Sequence, residues 1–158
     1  MERGNQMFHL TITPQDIDNL LRLFMAAVLS GVIGFERETH GKDAGVRTYA
    51  LVGIGSALVM LVSTEIYEMY KGVADVDPSR IAAQVVSGIG FLGAGAIIRF
   101  PQGVKGLTTA AGIWTAAGIG LACGIGQYRN AVITTVLVLI VLIIFSKIDR
   151  IFMGGKDS

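Results

Sequence analysis

The chain has few of the residues that build cysteine-based sites or rigid loops: one cysteine and three prolines occur among its 158 residues. One cysteine excludes an intrachain disulfide and any cysteine cluster for zinc or iron–sulfur. Cys123 has no base near it in sequence, which favours a packed small residue over a nucleophile. We therefore expect neither enzymatic activity nor a cofactor.

Charge is also scarce, because charged residues make up 16% of the chain and nearly cancel to a formal net charge of +1. With no long basic run, we expect no nucleic-acid partner. Four stretches carry no charge at all: residues 48–64, 81–98, 106–128 and 130–146. A helix needs about 17–25 mostly apolar residues to cross a hydrocarbon layer about 30 Å thick, so each stretch predicts a transmembrane helix.

A fifth stretch, residues 23–35, has only 13 uncharged residues, a length that also fits a re-entrant or interfacial segment. Extending it back to residue 17 gives 19 residues, with Asp18 at the interface and Arg22 reaching toward the headgroups. We therefore predict an all-α polytopic membrane protein, a bundle of about five transmembrane helices. The predicted spans are about 17–35, 48–66, 80–98, 106–126 and 130–147.

These spans form one predicted membrane domain, residues 17–147, between a polar arm (1–16) and a short tail (148–158). Cytoplasmic loops are enriched in Lys and Arg. With the N-terminus outside, the inner segments carry eight such cations and the outer segments five. The sequence thus predicts an N-out, C-in orientation, whereas losing the first span would place the N-terminus inside.

The third and fourth spans are rich in Gly, Ala, Ser and Thr, which let helix backbones approach closely. We expect them at the bundle centre or at a subunit contact, and the branched aliphatic fifth span facing lipid. Residues 88–93 fit the dinucleotide pattern G-x-G-x-x-G, but they lie inside an apolar run of spanning length, which favours helix packing. The packing candidates are Ser87, Gly88, Gly90, Gly93, Ala94 and Gly95.

The loop of residues 36–47 is the densest charge cluster. Glu36, Glu38 and Asp43 could offer oxygens to a hydrated divalent cation. Two alternatives are an internal salt-bridge network and a solvated connection. No ionisable residue lies at the centre of a span, which argues against a proton-relay transporter. Asp77 precedes Pro78 as a helix cap, with or without a further functional contact.

Several strings in the chain are similar to a known family: residues 34–38, 41–48, 77–95 and 104–111, together with Trp114. Over about residues 20–145 the chain resembles the MgtC/SapB family of bacterial inner-membrane proteins, from which Phe35, Val46 and Tyr49 depart slightly. The charged and polar residues that match the family strings are Glu36, Arg37, Glu38, Arg47, Asp77, Arg80, Gln84, Arg99 and Lys105.

The resemblance implies a stress-adaptation protein linked to low magnesium, acid tolerance and survival inside host cells. It implies action through other membrane proteins, among them the F-type ATP synthase, rather than magnesium carriage. The alternative is a magnesium or other ion transporter or channel formed by a homo-oligomer, and we expect such an oligomer in the lipid bilayer. The soluble domain that follows in MgtC itself is expected to be lacking.

The charges of the family strings predict two clusters at opposite membrane faces. Asp77 and Arg99 are 22 residues apart, roughly 33 Å if helical, which is a full bilayer. At the inner face, a carboxylate held at the interface needs a partner. We therefore expect Glu36 or Glu38 within ion-pair reach of Arg47 or Arg99.

Overall fold

The computed structural model describes residues 12–152; residues 1–11 of the predicted arm and 153–158 of the predicted tail lie outside them. The described chain consists of α1 (Pro14–Thr39), α2 (Val46–Tyr70), α3 (Ser79–Gly95), β1 (Ile98–Phe100), β2 (Gly103–Lys105), α4 (Leu107–Gly124) and α5 (Tyr128–Phe152). The two short strands form an antiparallel hairpin in which Ile98 lies opposite Lys105 and Arg99 opposite Val104. The all-α prediction with five helices is confirmed.

The first helix is longer than its uncharged stretch suggested. Thr13 and Asp16 form a reciprocal capping box, in which the Asp16 N–H donates to the Thr13 hydroxyl at 3.3 Å and the Thr13 N–H donates to the Asp16 carboxylate at 2.8 Å. Pro14 occupies the first helical position, where its missing N–H costs nothing. The helix runs for 26 residues from there and is long and apolar enough to cross a membrane.

Within the described residues, four helices meet that description: α1, α2, α4 and residues Tyr128–Ile148 of α5. The third helix does not, because α3 has 17 residues and ends at Gly95. At about 1.5 Å per residue it is about 26 Å long, short of a hydrocarbon layer about 30 Å thick. The prediction of a helix continuing to residue 98 is therefore wrong, and so is the length of roughly 33 Å derived from it.

The end of α3 has a local cause. Residues 93–95 combine two glycines with one alanine, and Ile97 and Ile98 follow as β-branched residues that suit a strand. Gly106 then starts α4 from the left-handed region, at φ 90°, with its Cα close to the Ala96 carbonyl. A side chain at Gly106 would overlap that carbonyl, so glycine is needed for the tight return from hairpin to helix.

The core lies between α1, α2 and α4. α4 contacts all four other helices, and one of its faces is buried through Ile113, Ala116, Ile119 and Cys123. α3 buries only Ile89 and Gly93. Within the chain, the fourth span is thus central as expected, whereas the third lies at the edge of the bundle.

The fifth helix also lies at the edge. Its exposed side chains are branched aliphatic: Ile133, Val136, Leu137, Ile140, Val141 and Ile144. Lipid-facing helices need only apolar bulk, so this surface agrees with a lipid-facing α5.

Close packing of the three central helices depends on glycines at their contacts. A side chain at Gly34 of α1 would overlap the start of α2, and one at Gly53 of α2 would overlap Ser30 of α1. Gly120 and Gly124 of α4 lie equally close to α2. These contacts bring backbones together as small residues in membrane helices do, whereas the sequence predicts packing glycines in the third helix.

Candidate functional site

The C-terminal end of α1 carries a buried ion pair between neighbouring residues. The Arg37 Nε donates to Glu36 Oε2 at 2.6 Å and the Arg37 Nη2 to Glu36 Oε1 at 3.0 Å. Glu36 is 7% exposed and Arg37 4% exposed. Such a bidentate, charge-assisted pair fixes both side chains and neutralises two charges that would each be expensive to bury alone.

Glu36 has a second partner one helical turn later. His40 Nδ1 lies 2.8 Å from the backbone carbonyl oxygen of Glu36 and 3.2 Å from its Oε1. His40 also forms the C-cap of α1, so its ring closes the helix end over the carboxylate. Side-chain nitrogens of both Arg37 and His40 therefore lie within 3.2 Å of the Glu36 carboxylate oxygens.

Glu38 has a different task. Its Oε2 accepts a hydrogen bond from the backbone N–H of Val46 at 2.9 Å, at the start of α2. The N-cap of α2 is Gly45, which has no side chain to accept that bond, and a side chain there would overlap Glu38. Glu38 therefore caps α2 from α1, where a carboxylate also complements the helix dipole.

The three metal candidates are thus divided among separate roles. Glu36 pairs with Arg37, Glu38 caps α2, and Asp43 is exposed. Across residues 12–152, no three His, Cys, Asp or Glu side chains are grouped closely enough to hold a metal ion. The arrangement at this loop is that of a salt bridge and a cap.

The predicted partners of the inner carboxylates are wrong. Glu36 does have a cationic partner, but it is Arg37 rather than Arg47 or Arg99. In the described part of the chain, Arg47 and Arg99 are exposed and form no ion pair. Lys105 is exposed and its Nζ lies 5.9 Å from the centre of the Phe100 ring. The exposed cations Arg47, Arg99 and Lys105 are therefore not part of the buried Glu36–Arg37 pair.

Tyr49 connects α2 to α4 near the same end. It is fully buried, and its hydroxyl donates to the backbone carbonyl of Thr109 at 3.4 Å. The phenol lies against Gly112, where a side chain would overlap it. In the sequence Tyr49 stands out only as a departure from the family pattern, because its burial depends on contacts with α4 that form in the folded chain.

The other end of α3 carries the remaining charged candidates. The Asp77 carboxylate accepts a hydrogen bond from the Ser79 N–H at 2.8 Å, and hydrogen bonds from Ser79 hold the pKa of that carboxyl below its ordinary value. The Ser63 hydroxyl of α2 donates to the Pro78 carbonyl at 2.5 Å. Arg80 and Gln84 are exposed. Asp77 thus acts as the predicted cap, at the end of α3 away from Arg99.

The predicted packing residues of α3 divide into one contact and one open surface. Gly93 lies against Ala110 of α4, where an added side-chain carbon would sit 3.7 Å from the alanine methyl. The others are exposed in the single chain: Ser87, Gly88, Gly90, Ala94 and Gly95. These small residues form a surface that no other helix in the described part of the chain covers.

A further polar contact joins α1 to the end of α4, and the sequence did not predict it. Arg22 pairs with Asp18 at 2.6 Å and donates from Nη1 to the Gly124 carbonyl at 2.8 Å. Both contacts lie near the N-terminal end of α1, where the sequence predicts Asp18 at the membrane interface. The two residues lie far apart in sequence, so spacing gave no signal for the contact.

The sequence of the chain is similar to those of known proteins. Residues 23–151 match the model of the MgtC family. The chain is 47% identical over 137 residues to YhiD of Escherichia coli strain K12, whose name proposes a magnesium transporter, covering 82% of this chain and 61% of that protein. It is 46% identical over 120 residues to protein MgtC of Salmonella typhimurium strain 14028s, covering 76% and 49%.

An uncharacterized protein of Haemophilus influenzae is 40% identical over 144 residues, covering 89% of this chain and 60% of that protein. The chain thus spans about half to three-fifths of the length of these curated relatives. No solved structure matches it.

Proposed function

Because this chain belongs to the MgtC family, we propose that it is a non-enzymatic protein of the bacterial inner membrane that acts by binding and modulating other membrane proteins. The proposed setting is adaptation to low magnesium or acid, including the virulence-associated stresses of life inside a host. The F-type ATP synthase is the partner that the family resemblance suggests.

The observation that carries the proposal is the closed core. Tyr49 fills the space between α2 and α4 against Gly112, and the Glu36 carboxylate is neutralised by Arg37. A carrier needs ionisable or carbonyl groups that bind an ion and release it along a pathway. A core that is filled by packed side chains and holds a neutralised ion pair favours a function at the protein surface over ion transport through the core.

The surface that we propose for partner binding is the small-residue face of α3, defined by Ala83, Ser87, Gly90 and Ala94. All four residues are exposed and recur on one side of the helix. Small residues let a second helix approach closely, and serine can hydrogen-bond across such a contact. The same face supports the proposed homo-oligomer.

This surface can be tested by crosslinking in native membranes. Ser87→Cys should give a specific adduct with a short thiol crosslinker, either with a second copy or with another membrane protein. Leu137→Cys on the lipid-facing side of α5 is the matched control, and the native Cys123 is buried. Equal crosslinking of both variants would contradict a binding surface on α3.

Transport by a homo-oligomer is the second candidate, favoured by the name of the YhiD relative and by the same exposed face, which could enclose a pore between subunits. Reconstitution into liposomes that enclose a magnesium-sensitive dye separates the two. A regulator should give no saturable, protein-dependent magnesium flux, with an ionophore as positive control and empty liposomes as negative control. Such a flux would overturn the proposal.

We also propose the N-out, C-in orientation. The hairpin would then face the cytoplasm and the α2–α3 connection the outside. An impermeant thiol reagent should label Val73→Cys in intact cells and Gln102→Cys only after permeabilisation. Both sites are exposed and avoid the positive-φ glycines Gly72 and Gly103. The reverse labelling pattern would overturn the orientation.

A further inference from the structure

An open groove lies where α3 ends beside the start of α2. Its volume is about 460 Å³. Phe91, Leu92, Ala94 and Ile113 form much of its apolar wall, and Asp43 and Thr48 are its polar side chains. Because α3 stops at Gly95, no further helical turn continues along this side of α2 and α4.

Among residues 12–152, nothing covers the part of the wall that Phe91 and Leu92 form. Phe91 is 82% exposed and Leu92 50% exposed. In a membrane, such a recess is filled by whatever apolar chain is available, since an empty space forfeits the dispersion contacts of its lining. In a bilayer, lipid acyl chains are the apolar chains that surround the bundle.

The hairpin fixes the depth of the groove in the bilayer. Both of its strands are exposed, and its two-stranded sheet leaves an open edge on each side. Open sheet edges do not occur in the hydrocarbon region because their backbone groups would lack hydrogen bonds. The hairpin therefore lies at headgroup level, with Arg99 and Lys105 at the depth of lipid phosphates.

Two exposed cations lie close in sequence to residues that line the groove. Arg47 precedes the lining residue Thr48, and Arg99 follows the lining segment by three residues. Among the described residues, neither arginine has an ion-pair partner. Asp43 is the one acidic residue of the lining, and its negative charge offsets part of the positive charge of the two arginines. The positive charges exceed it, and basic pockets between membrane helices suit anionic lipid headgroups.

We infer that this groove is a binding site for an anionic phospholipid, with one acyl chain against Phe91 and Leu92 and the headgroup phosphate at Arg47 and Arg99. The groove shares Ala94 with the small-residue face of α3, but Phe91 and Leu92 lie outside that face, and the inference does not depend on the proposed function. This lipid site gives a role to Arg47 and Arg99, which are not part of the buried Glu36–Arg37 pair.

Tryptophan quenching by brominated lipids tests the site on the full chain. The reporter is Leu92→Trp in a Trp114→Phe background, which removes the one native tryptophan. In mixed bilayers, brominated phosphatidylglycerol should quench the reporter at a lower mole fraction than brominated phosphatidylcholine. A reporter at Leu137, made as Leu137→Trp in the same background, faces bulk lipid and should show little preference.

Charge removal then identifies the headgroup contacts. A cation near the membrane surface contributes about 1 kcal/mol of attraction, so Arg47→Gln and Arg99→Gln should each reduce the preference by about fivefold. Arg129→Gln, an exposed cation at the other end of the bundle, is the control and should leave the preference unchanged.

Three results would overturn the inference. They are equal quenching by the two lipids at residue 92, an unchanged preference in the Arg47→Gln, Arg99→Gln double variant, and protection of the Leu92→Trp reporter from both lipids. The last would mean that a second copy or a partner protein covers the groove. Unfolding temperatures of the variants should match the parent, since both arginines are exposed.

Discussion

Tyr49 of α2 occupies the space that a side chain at Gly112 of α4 would need. The phenol is buried, its hydroxyl donates to the Thr109 carbonyl at 3.4 Å, and a carbon added at residue 112 would lie 3.2 Å from two ring carbons and overlap the phenol oxygen. This pair therefore limits how closely α2 and α4 approach near the N-terminal ends of both helices.

Gly112→Ala should destabilise the bundle by about 1–3 kcal/mol, because overpacking a tight contact forces side chains or backbone to shift. Unfolding in detergent, followed by circular dichroism, measures this. Gly118→Ala is the control in the same helix, since it meets open space. Tyr49→Phe added to Gly112→Ala should recover part of the loss. If Gly112→Ala is as stable as Gly118→Ala, the contact does not limit the approach of the helices.

Glu36→Gln should be more damaging than the loss of one exposed charge. It leaves the Arg37 guanidinium buried without its counter-ion, and breaking a buried pair costs about 3–5 kcal/mol. Removing both charges, as Glu36→Gln with Arg37→Gln, should cost less than the sum of the single changes. Unfolding free energies give the coupling, with exposed Glu65→Gln as control. Additive costs would show that the pair contributes nothing as a unit.

The helices were predictable because uncharged runs of spanning length leave few alternatives in a membrane protein. The end of α3 was not, because residues 96–98 carry no charge and no proline, and hydropathy does not distinguish a helix from an apolar strand. The turn depends on Gly106 meeting the Ala96 backbone, a contact made only in the folded chain.

The charged site shows a similar limit. Residues at i and i+1 of a helix do not face each other, so helical spacing gave no reason to pair Glu36 with Arg37. The pair forms because both side chains turn toward the same buried space. Small residues likewise indicate that another helix can pack against a helix face, but they do not identify that other helix. In α4 that face meets α2, while in α3 it stays open at Ser87 and Gly90.

The start of α3 should respond to acid through Asp77. Hydrogen bonds from Ser79 favour the ionised carboxylate, so the folded-state pKa lies below the ordinary value of about 3.9. The cap therefore stabilises the helix start at pH values above that ordinary value and is lost as pH falls through the lowered pKa. It should be constant from pH 5 to 8.

Carbon-13 NMR titration of the Asp77 carboxyl measures this pKa directly. Ser79→Ala removes the hydroxyl and should raise the pKa toward the ordinary value, while Arg80→Gln, a weaker electrostatic influence, should raise it less. A midpoint that Ser79→Ala leaves unmoved would contradict the assigned cause.

The contact between Arg22 and Gly124 predicts a local opening when it is broken. Arg22 donates at 2.8 Å to a carbonyl at the C-terminal end of α4, where helix carbonyls lack partners within the helix and a cation complements the dipole. A hydrogen bond that involves a charged group contributes about 1.5–3 kcal/mol.

Arg22→Ala should therefore loosen the turn between α4 and α5, and the buried Cys123 beside it reports this through faster reaction with a membrane-permeant maleimide. Arg129→Gln, which removes an exposed cation from the start of α5, should leave the reaction rate unchanged. If both variants react at the parental rate, Arg22 does not hold α1 to the end of α4.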